Sequence, residues 1–237
     1  MITIVPPLDG ISGILLPYLP RYDWMVTTIM FLFLIIVSFV FSRSKKHLYQ
    51  TAKGFIHNHE RNSMFDEVTA ADARYNFILI IHTIIMLSFS VYYYYLQILP
   101  SVFNHSPHLL LGSFILCISL FILSKWMLYN FVNWVFFPKN KNEIWIKAYF
   151  NLFIWFGILL LPTLLIIIYF DTSPQISLYI MGIQLVFAKI LLFWKCFYNF
   201  FEKIYGSFHL ILYFCALEIL PDLILWKGME FISNNLI

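Results

Sequence analysis

Four side chains near the end of the chain could do chemistry in surroundings that ordinarily exclude it. Lys189, His209, Tyr213 and Glu218 fall between Ala188 and Pro221, in the run AKILLFWKCFYNFFEKIYGSFHLILYFCALEILP, which is dominated by apolar residues. Ionisable groups in lipid are costly, and where they occur they mark ion paths, proton relays or mutually neutralised pairs. Lys189 lies twelve residues beyond Ser177, or ~18 Å along a helix. Glu218 lies eleven residues beyond Ser207 on the returning segment, or ~16 Å from the opposite boundary. In a hydrocarbon core of roughly 30 Å these depths agree within a few ångström. An intramembrane Lys189–Glu218 ion pair is the first contact expected. It would either fix helix register as a neutralised pair or titrate within a proton or ion path. Lys125 and Lys195 read as lysines near inner span ends whose stems snorkel outward.

The last segment carries further polar groups. His209, Tyr213 and Ala216 share one helical face, whereas Glu218, nine residues from His209, falls about 180° away. The helix is therefore expected to be central, with two polar faces. Pro221 cannot donate to the carbonyl of Leu217, which predicts a kink or loosened turn beside Glu218. Pro162, five residues after Gly157, is the other mid-span breaker. His82 and His209 could in principle ligate a haem b. Their expected depths, roughly 10 Å and 3 Å from the inner boundary, are too unequal for a shared iron, so no cofactor is predicted. No metal site is expected either: His57 and His59 lack a carboxylate or cysteine at metal spacing.

These residues need a scaffold, and composition says which kind. The chain has 237 residues, 61% hydrophobic and 11% charged, against roughly a quarter charged in soluble domains. Cys117, Cys196 and Cys215 all fall in apolar runs and read as small apolar fillers. Residues 1–23, with four prolines between Pro6 and Pro20, read as an interfacial segment. Residues 24–237 then form a single all-α, polytopic domain. Its six transmembrane helices are expected at about 24–41, 75–99, 108–131, 148–170, 177–197 and 207–226.

Loop charge predicts the orientation. Arg43, Lys45, Lys46, Lys53, Arg61 and Arg74 lie between spans one and two, Lys139, Lys141 and Lys147 between three and four, and Lys203 between five and six. The alternate loops hold no Lys or Arg. By the positive-inside rule the odd-numbered loops face the cytoplasm and both termini the other side. Within residues 42–74, Leu48, Ala52, Phe55 and Ile56 alternate with Lys45, Lys46 and Lys53. That pattern predicts a basic amphipathic helix on the membrane surface, serving as headgroup anchor or as docking surface for a partner.

The chain contains no HExxH, GxSxG, Walker A or GxGxxG pattern and no visible inverted repeat. With no catalytic residue to name, the leading expectation is a non-enzymatic membrane subunit: an assembly, anchoring or accessory component with the lipid bilayer and other membrane proteins as partners, and no nucleic acid. The alternative is a transporter or proton-coupled component using Glu218 and Lys189. A weaker one is a membrane enzyme on a lipid substrate, with His209 or Glu218 as general acid or base.

The segment FHLILYFCALEILP, from Phe208 to Pro221, resembles a family of multi-pass inner-membrane proteins of Bacteroidota, a domain of unknown function with an LYxCxLEIxP-like motif near its C-terminus. The resemblance implies a location in the bacterial cytoplasmic membrane. It brings no activity and no functional residues with it; Tyr213, Glu218 and Pro221 coincide with its most recognisable stretch.

Overall fold

The computed structural model describes residues 20–45, 48–49, 70–98, 107–170, 172–200 and 207–235. All regular structure among them is helical: α1 (Trp24–Arg43), α2 (Ala70–Ile98), α3 (Pro107–Phe136), α4 (Lys139–Tyr169), α5 (Pro174–Phe200), α6 (Ser207–Phe214), a π-turn (Cys215–Ile219) and α7 (Leu220–Asn235), with a 3-10 turn at Pro20–Tyr22 before α1. The helices α1 to α5 are long and apolar enough to cross a bilayer, which marks the chain as a helical membrane protein. The expected sixth span corresponds instead to the broken path α6–π-turn–α7. Most of the interfacial segment at 1–23 and of the basic surface helix, including Lys46, Lys53 and Arg61, lies outside the described residues. Arg43, Lys45 and Arg74 are exposed. Leu48, on the apolar face of that expected helix, is packed with Val40, Leu79 and Ile154.

Start signals explain the boundaries. The Asp23 carboxylate accepts from the Met25 N–H at 2.9 Å, filling one of the orphan donors at the start of α1. Pro174 opens α5, where a missing N–H is harmless. The helices α3 and α4 overrun their expected spans by several residues and are joined only by Phe137 and Pro138. What the charge pattern marked as a loop is thus mostly helix, closed by Asn133 Nδ2 donating to Asn142 Oδ1 at 2.9 Å and Asn142 Nδ2 donating to Asn130 Oδ1 at 3.1 Å.

α4 is the hub. It packs along α2 and against α5, α3 and α1. Its approach to α2 depends on Gly157, where an added Cβ would sit 2.0 Å from Thr83 Oγ1. Pro162 lies exposed on α4, and Thr163 beside it donates to the Leu159 carbonyl at 3.0 Å. α5 is the most peripheral of the five long helices. The last path runs antiparallel to α3, from Tyr213 beside Asn133 to Trp226, which packs on Tyr94 and Tyr95.

Candidate functional site

The candidate site assembles where α3, α5 and the π-turn converge. Lys125 lies eleven residues before the end of α3, Lys189 eleven before the end of α5, and Glu218 eleven after the start of α6. At 1.5 Å per residue all three sit ~16 Å inside the same end of the bundle. Equal depth on neighbouring helices brings them together.

Pro221 sets the local backbone. It has no N–H for the Leu217 carbonyl, and in a regular α-helix its ring would crowd that carbonyl. The backbone widens instead: the Leu220 N–H donates to the Cys215 carbonyl, five residues back, giving one π-turn, a feature that recurs at functional sites. The inserted residue also rotates Glu218 relative to Tyr213. In an uninterrupted α-helix these two, five residues apart, would differ by about 140°; the wider turn reduces that angle, and both now face α3. The expectation of two opposed polar faces is therefore corrected by the π-turn.

The contacts are dense. Lys125 Nζ donates to Glu218 Oε2 at 2.6 Å and lies 3.0 Å from Asp222 Oδ1. Lys189 Nζ lies 2.5 Å from Asp222 Oδ2 and also donates to Glu218 Oε2. The Tyr129 hydroxyl donates to Glu218 Oε1. Glu218 and Lys125 are almost sealed, with side chains 1% and 2% exposed, while Lys189 and Asp222 retain 29% and 33%. Two cations and two anions thus interlock, each lysine touching both carboxylates. A metal cation would have to displace a lysine, and among the described residues no group of three His, Cys, Asp or Glu side chains converges.

The polar set continues toward the α3–α4 turn. Lys125, Tyr129 and Asn133 follow one another at i, i+4 and i+8 on one face of α3, and all three are buried. The Tyr213 hydroxyl donates to Asn133 Oδ1 at 2.7 Å, and its ring centroid is 6.3 Å from that of Tyr129. Trp145 and Tyr149 of α4 and Cys196 of α5 complete the wall.

The sequence-derived candidates divide sharply. Lys189, Glu218, Tyr213 and Pro221 belong to this region. His82 does not: it is fully buried between α2 and α1, its ring 5.3 Å from Phe33, and neither nitrogen has a hydrogen-bond partner among the described residues. His209 belongs to the first turn of α6, and its side chain is outside the described residues. Pro162 is remote on α4. Lys125 requires a correction. Placing it near a span end assumed that α3 stops at 131, but the helix continues to Phe136, so Lys125 is too deep to snorkel and is buried against Glu218. Tyr129 and Asp222 were not singled out by the sequence. Their signals were present, Tyr129 four residues after Lys125 and Asp222 four after Glu218, each one helical turn from a buried charge.

A family model described as Domain of unknown function (DUF4271) matches residues 26–229. The chain belongs to the DUF4271 family. The matched stretch contains Lys125, Tyr129, Lys189, Glu218 and Asp222 together, so the whole cluster falls in the DUF4271 region. No curated protein and no solved structure matches this DUF4271 chain.

Proposed function

We propose that this chain is a non-enzymatic, proton-coupled component of a bacterial cytoplasmic membrane. The path from Ser207 to Asn235 acts as a sixth span, the basic turns face the cytoplasm, and Glu218 takes up the proton. The observation that carries this reading is that Lys125 and Lys189 each reach both Glu218 and Asp222. With both carboxylates ionised the four charges cancel. A proton arriving on Glu218 leaves both ammonium groups on Asp222, so the cluster has two arrangements separated by one proton. The wide turn at Cys215–Ile219 holds the same carboxylate and lets the change in charge shift the last helix. A purely structural staple would not need four charges, since apolar packing holds buried interfaces as well or better.

The test is proton uptake. Infrared spectra of the purified protein should show a carboxylic C=O band growing as the pH is lowered, and Glu218→Gln should remove it. An unchanged band in a Glu218→Gln protein with wild-type thermal stability overturns the reading.

A second reading, an assembly or accessory subunit of a larger membrane complex, is favoured by one specific feature. Lys189 and Asp222 remain about one-third exposed on the outside of the bundle, at a depth where lipid cannot solvate them. A transmembrane segment of a partner protein bearing a polar side chain at that depth would complete their solvation. Purification in mild detergent as a lone monodisperse monomer would count against it.

A further inference from the structure

We infer that protons reach Glu218 from one side of the membrane only, the end at which α3 turns into α4, and that they pass through the Tyr129 hydroxyl. This rests on the proposed titration of Glu218 and adds to it the route and its direction.

The two halves of α3 carry the argument. On the side of the α3–α4 turn, the buried face of the helix continues from Lys125 through Tyr129 to Asn133. Hydrogen bonds extend it to Tyr213, Asn142 and Asn130. Asn142 is partly exposed, so this polar line runs from the turn to the cluster. By helical rise, Asn133 lies only ~5 Å and Tyr129 ~10 Å from the end of α3. On the other side, the same face is apolar for more than two turns. The Lys125 ammonium lies 5.2 Å from the centre of the Phe121 ring, and beyond it Ile122, Ile118 and Phe114 are buried in the largest apolar cluster of the bundle. Hydrocarbon of that thickness offers a proton no acceptor.

The ionisable groups around Glu218 come from every element packed on it. They are Lys125 and Tyr129 of α3, Tyr149 of α4, Lys189 and Cys196 of α5, and Tyr213 and Asp222 on either side along its own helix. Of these, Tyr129 alone both donates a hydroxyl hydrogen to Glu218 and lies on the polar side. The step is a relay. Tyr129 gives its hydroxyl proton to the Glu218 carboxylate while its oxygen takes one from hydronium arriving past Asn133. The net change is one O–H bond broken in hydronium and one formed on the carboxyl group. Tyr129 ends as it began.

The experiment uses the full chain in liposomes, with orientation fixed by a C-terminal tag, which sits at the end of α7 opposite the α3–α4 turn. Time-resolved infrared spectroscopy after a pH jump follows the carboxylic C=O band that Glu218→Gln removes. The band should rise about a hundredfold faster when the side of the α3–α4 turn is acidified than when the opposite side is. Tyr129→Phe should slow the fast phase by a similar factor without changing its final amplitude. Asn133→Leu should slow it as well and serves if Tyr129→Phe does not fold. Equal rates from the two sides, or an undiminished fast phase in both variants, overturn the route while leaving Glu218 titration intact. Absence of the band at every pH overturns the titration and the route together.

Discussion

Two interiors coexist in this bundle, and they are built on opposite principles. Between α1, α2 and α4 the core is apolar and closely fitted: Gly157 lets the helices approach until Thr83 lies against its backbone, and His82 is enclosed without a polar partner among the described residues. Between α3, α5 and the last helix the interior is charged, with Glu218 held by Lys125, Lys189 and Tyr129. Lipid offers little hydrophobic drive for helices to associate, so the first interior depends on close packing and the second on satisfying polar groups. They should therefore fail in different ways, and substitution in each can be told apart by what repairs it.

The largest effect is expected from emptying one corner of the charged cluster. Glu218→Leu leaves two ammonium groups facing the single carboxylate of Asp222, and should lower stability in detergent by about 3–5 kcal/mol, read as a fall in the unfolding midpoint. Adding Lys125→Met, which removes the buried cation, should restore most of the loss. A Glu218→Leu protein as stable as wild type would mean that this carboxylate holds nothing together. A failure of Lys125→Met to repair it would place the damage in packing rather than charge.

Much of this contrast was readable in the residues, because depth follows from counting. Lys189 and Glu218 are equidistant from the same end of their helices, and that arithmetic needs only the rise per residue. Lys125 was misjudged by the same arithmetic with one wrong input, the end of α3, which Asn130, Asn133 and Asn142 extend by pairing across the turn. Azimuth was harder than depth. The rotation of Glu218 toward Tyr213 depends on the extra residue in the turn before Pro221, and a proline announces disruption without saying whether it will be a kink, a 3-10 segment or a π-turn. The hub role of α4 was invisible too: a glycine in an apolar helix gives no sign of which neighbour it admits.

That hub supplies the next test. Gly157→Ala places a methyl group inside the van der Waals envelope of Thr83, a β-branched side chain fixed by donating to the Leu79 carbonyl at 2.8 Å. Such overpacking should cost about 1–3 kcal/mol. Thr83→Ala removes the hydroxyl oxygen and one methyl group and should recover part of that loss, whereas Lys125→Met should recover none. Cross-repair between the two interiors would show that they are one cooperative unit.

His82 sharpens the comparison at the small end of the scale. Its imidazole is as deeply buried as Glu218, yet it has no donor or acceptor among the described residues and touches the ring of Phe33. A group buried without hydrogen bonds is a liability that an apolar side chain of similar shape removes, and replacing unsatisfied polar atoms is neutral or stabilising by about 1 kcal/mol. His82→Leu is therefore expected to leave the unfolding midpoint unchanged or raise it slightly, with the carboxylic band of Glu218 intact. A marked loss of stability would reveal that the ring nitrogens are engaged in the membrane after all. A change in that band with normal stability would join the two interiors functionally across α4.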